Sequence, residues 1–348
     1  MTIGIEPDEE RALWRAGVHA RLSSRFLDDV RHGLDLARLS VAGSGDRWPD
    51  ALLAELRFHL AGLLNATELA IGLHLTDSQV ERLIGDLGAG YCRDSIEAEP
   101  ALLSPDLLAY LRRRAICAML LRRAAAAGST AASMAQSDDL TALAIAERRW
   151  CAPMLLDAPM RPDLPAEPYH ELSWTAVALL VHGCERRMGR RDPGVTAALS
   201  RATERLIARH DEGQGAQALA QRCARGTMPE DRHALAGAAL VEGRLLLFAA
   251  LAERETGLPL DRIVDIMADG APLDRHAVLR LMAVEDAIAF RTAELLAPLT
   301  GAGSDDEALA RFLETYRTVD IVRARDWLVA MSAPPMLAGK LALLDPPR

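Results

Sequence analysis

The residues of this chain best suited to chemistry are arginines. Arg112, Arg113, Arg114, Arg122 and Arg123 fall within one helical segment, and Arg186, Arg187, Arg190 and Arg191 close another. Arginine presents a planar fork of donors that matches a carboxylate or phosphate, and positive charge at a helix C-terminus favours the dipole there. Arg112, Arg113, Arg122 and Arg123, or else the second set, are therefore expected to border a surface that binds an acidic partner. The competing reading is a solvated helix face. With 40 basic against 49 acidic residues and a net charge of −9, the chain as a whole repels nucleic acid and anionic lipid.

His59 is the candidate for catalysis. It lies in Glu55-Leu56-Arg57-Phe58-His59-Leu60-Ala61-Gly62-Leu63-Leu64-Asn65, a helical stretch with an amide six residues on. This loosely resembles the histidine box of two-component phosphotransfer bundles, and phosphotransfer needs an exposed imidazole with a polar group to orient it. A packed helix histidine is the alternative. Thr67–Gly90 has the outline of a helix–turn–helix, but Thr76–Leu87 sets only Arg82 against Asp77, Glu81 and Asp86. A recognition helix would need more positive charge to meet phosphates. An ordinary helical hairpin, and no nucleic acid, is expected.

His210-Asp211-Glu212 and His170-Glu171 supply metal-capable atoms without the i, i+4 histidine spacing that puts two ligands on one face. No metal and no cofactor is expected. The five cysteines (92, 117, 151, 184 and 223) are dispersed and form no CxxC pair. That pattern suits reduced, buried thiols in a cytoplasmic protein. No GxSxG, Walker loop or GxGxxG is present. The acidic N-terminus (Glu6, Asp8, Glu9, Glu10) does not read as a signal peptide. The apolar windows Leu172–Gly183 and Ala234–Leu251 do not read as membrane spans, because the first is short and Glu242 and Arg244 interrupt the second. No membrane association is expected.

The elements that must position these residues are helices. Ala and Leu make up about a third of the chain, while β-branched residues are sparse. Pro7, Trp48-Pro49-Asp50, the capping box Thr76-Asp77-Ser78-Gln79 and Ser104-Pro105 read as helix starts. The second of these helices is expected to run to about Leu64. Gly88 with Gly90, Gly257 with Pro259, Gly270 with Pro272, and Gly301 with Gly303 read as helix ends. Pro229 to about Glu255 is apolar nearly all round and reads as one helix at the centre of the bundle. Pro153, Pro159, Pro162, Pro165 and Pro168 should hold an extended connection, with helix resuming at about Glu171. The low-complexity stretch 126–139 divides an N-terminal helical region, 1–125, from a C-terminal helical-array domain, 140–348.

Two blocks carry a resemblance. Met160-Arg161-Pro162-Asp163-Leu164-Pro165 followed by Glu171-Leu172-x-Trp174 is the first. The second is Gly243-Arg244, Leu247-Phe248, Ala250-Leu251-Ala252, Gly257-Leu258-Pro259-Leu260 and Ile263-Val264. Over roughly residues 140–285 the chain resembles a bacterial domain-of-unknown-function family with HEAT-like helical repeats. The resemblance implies an all-helical fold and carries no catalytic residues.

The fold expected is an all-α, multi-helix array, an α-solenoid or HEAT-like right part beside an irregular N-terminal helical bundle. The function expected is a non-enzymatic helical scaffold or regulatory adaptor that binds another protein or a second copy of itself. A phosphotransfer module using His59, or an uncharacterised helical enzyme, stands as the alternative.

Overall fold

A computed structural model describes residues 48–128, 137–151, 162–300 and 306–332. The expected helix start at Pro7 and end at Gly301 with Gly303, most of the low-complexity stretch, and Pro153 and Pro159 lie outside these residues. The described chain contains fifteen α-helices and no strand.

Helix α1 (Asp50–Leu73) opens after Pro49 and runs two turns beyond Leu64, because Ala66, Thr67 and Ile71 continue its buried face. Asp77, rather than Thr76, caps α2 (Ser78–Gly85): its carboxylate accepts from the backbone N–H of Gln79 and Val80. Next comes α3 (Tyr91–Ala98), then α4 (Pro105–Ala126), where Ser104 accepts from Leu107 N–H at 3.1 Å and Pro105 takes the first position. An N-cap serine and a proline that needs no donor there make this a strong start. Helix α5 (Asp138–Cys151) leads towards the proline-rich connection.

Helix α6 (Ala166–Met188) begins five residues before the expected Glu171 and includes Pro168 in its first turn. Proline is tolerated there because the first-turn N–H groups have no intrahelical acceptor to lose. A reversal at Gly189 leads to α7 (Pro193–Ile207), followed by α8 (Ala216–Gly226). The segment expected as one helix from Pro229 is two, α9 (Pro229–Val241) and α10 (Leu245–Thr256). Gly243 separates them with φ +70°, and Arg244 N–H reaches back to Ala239 O at 2.8 Å. The left-handed residue turns the chain so that α10 runs through the core, every residue from Leu245 to Ala252 being buried. The remainder is α11 (Leu260–Asp269), α12 (Pro272–Leu281), α13 (Asp286–Thr300), α14 (Asp306–Thr318) and α15 (Ile321–Met331). The breaks at Gly257 with Pro259 and Gly270 with Pro272 fall where expected.

The core does not divide at 126–139. One apolar cluster joins Leu56 and Leu64 of α1, Leu111 and Ile116 of α4, Leu172 of α6, Phe248 of α10 and Ile263 of α11. Helices distant in sequence pack on one another: α1 on α6 and α7, α4 on α10, α11 and α13, α5 on α8. Each large apolar side chain sealed this way contributes about 1.5–3 kcal/mol of transfer free energy, so the two expected regions share their main stabilisation. Among the described residues, no helix is long and apolar enough to cross a membrane.

Candidate functional site

The polar residues singled out in the sequence divide into an internal network and an exposed corner. The internal network centres on His59, which is 0% exposed on the inner face of α1. Its Nδ1 accepts from Arg114 Nε at 3.2 Å, so the neutral ring carries its proton on Nε2. Nε2 lies 3.0 Å from Glu55 Oε1, one helical turn back, a close polar contact rather than an aligned hydrogen bond. Glu55 in turn receives both terminal nitrogens of Arg122, whose Nη1 also reaches Cys151 O at 3.3 Å. Burial pushes the His59 pKa down to about 4, with Arg114 and Arg122 adding to the shift and Glu55 opposing it. Burial alone would raise Glu55, but its bonds to His59 and Arg122 outweigh that and hold the carboxyl low.

This geometry lacks what phosphotransfer requires. Both ring nitrogens face neighbouring side chains and the imidazole has no solvent-exposed edge. His59 is a core histidine in this arrangement.

Arg114 also ties the network to the proline-rich connection. Its Nη1 donates to Asp163 O at 2.8 Å, beside Tyr110 Oη at 3.1 Å, and its guanidinium lies over the Trp150 ring at 4.8 Å. The Asp163 carboxylate accepts from Trp150 Nε1 at 2.8 Å and from Ala216 N–H at 3.0 Å. Four groups from α4, α5 and α8 thus converge on one residue of the connection. Asp163 therefore has a structural task within the motif that carries the family resemblance.

Arg112 and Arg113 do not form a free surface. Arg113 grips Asp265 with two parallel bonds, Nε–Oδ1 at 2.8 Å and Nη2–Oδ2 at 2.9 Å, and reaches Asp261 Oδ2 at 3.0 Å. Arg112 pairs with Asp269 and lies over the Trp48 ring at 5.4 Å. Asp261, Asp265 and Asp269 stand at i, i+4 and i+8 of α11, so one helix face holds both guanidinium groups. With Arg122 bound to Glu55, three of the four arginines expected to border a partner surface on α4 are engaged within the chain. Arg123 alone of the four is exposed, with no hydrogen-bond or ion-pair partner among the described residues.

The second cluster is different. Arg186, Arg187, Arg190 and Arg191 are all exposed at the corner between α6 and α7. Gly189, with φ +67° and open space around its Cα, ends α6 and splits the four into two pairs. Arg187 lies 3.5 Å from Asp86 and Arg190 3.5 Å from Asp192, both across exposed surface where pairing is weak. Arg186 and Arg191 have no ion-pair partner among the described residues.

Sequence reasoning missed a buried pair. Arg244 Nε lies 2.7 Å from Glu147 Oε2, each side chain 6% exposed, beside a crevice of about 220 Å³ lined by Cys117, Trp150 and Gly243. A neighbouring crevice of about 260 Å³ lies between Tyr110, Gln217 and Asp261. Both are smaller than the roughly 300 Å³ at which small-molecule sites begin. The signal available in the sequence was the Glu242-Gly243-Arg244 interruption of an apolar run, read there as evidence against a membrane span. Among the described residues, no group of three or more His, Cys, Asp or Glu side chains could hold a metal ion. His170 is instead bonded to Trp174 Nε1 at 3.0 Å, and His210 to Leu164 O at 2.8 Å.

Comparison with family models, with curated proteins and with solved structures finds no match to this chain.

Proposed function

We propose that this protein is a helical scaffold or regulatory adaptor, HEAT-like in its C-terminal part, that binds an acidic segment of another protein at the α6–α7 corner. The observation that carries the reading is the contrast between the two arginine clusters. Arg112, Arg113 and Arg122 spend their charge on Asp269, Asp265 and Glu55, whereas Arg186, Arg187, Arg190 and Arg191 stay in solvent. In a chain of net charge −9, such a corner attracts carboxylates that the rest of the surface repels. Bidentate guanidinium–carboxylate pairing supplies the specificity.

The test is binding of a fluorescent acidic peptide, rich in Glu and Asp, followed by anisotropy at several salt concentrations. Wild type should bind with an affinity that falls as salt rises. The variant Arg186→Glu/Arg187→Glu/Arg190→Glu/Arg191→Glu should lose both the binding and its salt dependence while keeping its helical circular dichroism. Equal binding by the reversed variant would remove the corner from the function.

A further inference from the structure

His276 is the second fully buried histidine, and unlike His59 neither of its ring nitrogens makes an aligned hydrogen bond. It sits on α12 and is covered by α14: the Phe312 ring lies 4.3 Å away and the Tyr316 ring 5.8 Å. Leaving a polar ring buried without partners costs about 1–3 kcal/mol. The ring therefore stores a penalty at a seam between two elements.

The cover itself is lightly attached. Helices α14 and α15 bury few side chains, chiefly Tyr316, Ala324, Trp327 and Leu328, and expose Ile321, Val322 and Val329. Their polar ties are Arg280 to the carbonyls of Tyr316 and Arg317 at 2.9 Å each, Trp327 Nε1 to Asp274 at 2.8 Å, and Arg317 to Asp286 at 2.7 Å. A unit with a small apolar contact opens at lower free energy than the core beneath it.

We propose that α14 and α15 form a proton-released cover, lifted from α12 when His276 gains a charge. The charges acting on the ring are Arg275 and Arg280 of its own helix, both of which oppose protonation, as burial does; only the Phe312 backbone favours it. No carboxylate is placed to receive the new charge. On α10, Glu253 is bonded to Gln221 and Glu255 to Arg232, while Arg254 is exposed. On α11, Asp261 and Asp265 hold Arg113, Asp269 holds Arg112, and Arg262 is exposed. Glu307, Arg311, Glu314 and Arg317 of α14 and Arg323, Arg325 and Asp326 of α15 point outward. Asp274 is taken by Trp327, and Tyr316 Oη donates to Val284 O. A charged His276 has solvent as its only relief, and opening the seam provides it.

Hydrogen exchange read by mass spectrometry tests this on the full chain between pH 6.5 and 4.5, corrected for intrinsic exchange, with α10 as internal reference. The opening constant of residues 306–331 should rise up to tenfold per pH unit in wild type, the slope of one linked proton. His276→Leu, which keeps the site apolar, should flatten that slope. Trp327→Phe should raise opening at every pH and keep the slope, which separates a weakened seam from a titrating one. Equal slopes in wild type and His276→Leu, or α10 opening in step with the pair, would overturn the proposal.

Discussion

Arg244 and Glu147, 97 residues apart in sequence, form an ion pair in which each side chain is 6% exposed. Arg244 precedes α10, the helix sealed deepest in the core, and Glu147 comes from α5, so the pair fixes one against the other. Burial pushes the Glu147 pKa up, and Arg244 only partly offsets that.

Breaking the pair from one side strands a charge. Arg244→Met is expected to lower unfolding free energy by roughly 3–5 kcal/mol, because Glu147 then has no counter-charge. Arg244→Met with Glu147→Leu should recover most of the loss. Urea denaturation of the two variants and wild type measures it, and a double variant no better than the single would contradict the argument.

Gly243 and Gly257 share a backbone φ of +70° but differ in what surrounds them. A Cβ at Gly243 would meet Leu120 O at 2.6 Å and Ala124 Cβ at 2.7 Å, whereas nothing lies within 4 Å of one at Gly257. Gly257→Ala should cost about 1–2 kcal/mol, the left-handed penalty alone. Gly243→Ala adds a clash with the backbone of α4 and should cost about 2–4 kcal/mol. Thermal unfolding of both variants gives the comparison, and equal losses would show that the close approach of α4 is of no consequence.

The His59 contribution to stability has a defined sign. Its folded pKa is about 4 against an ordinary 6.5, so the unfolded chain takes up a proton that the folded chain refuses. Stability should fall as pH drops from 6.5 to about 4 and level off below, by roughly 3 kcal/mol in all. His59→Gln should be less stable at pH 7, where Arg114 loses its acceptor, yet show a shallower fall across that window. Urea titrations at each pH read the difference, and parallel profiles for the two proteins would refute it.

The two arginine clusters should separate under mutation. Arg113→Ala removes a grip on two carboxylates of α11 and should destabilise the fold by about 1–2 kcal/mol, discounted for partial solvent access. Arg123→Ala and Arg186→Ala should change stability by less than about 0.5 kcal/mol, as surface substitutions do. Chemical denaturation of the three variants decides the point, and comparable losses in all three would mean the exposed arginines also hold the fold.

Helix starts and stops were legible because they depend on a few neighbouring residues. Ser104-Pro105, Gly257 with Pro259 and Gly270 with Pro272 act through local hydrogen bonds and backbone dihedrals, which sequence alone dictates. Gly243 was harder, since glycine within an apolar run lowers helix propensity without ending the helix by itself. The close approach of Leu120 and Ala124, from a helix more than a hundred residues earlier, is what makes its left-handed turn necessary.

All-helical architecture followed from composition, because helix propensity and apolar periodicity act over a turn or two. Which helices meet did not, since any apolar stripe can bury against any other. The fate of the arginines was decided at that tertiary level. Arg113 and Arg187 look alike in sequence, each within a basic run on a helix. The first lies where α11 brings Asp261 and Asp265 to within 3 Å, and the second where α6 ends in solvent. Charge is a property of the residue, but its partner is a property of the packing.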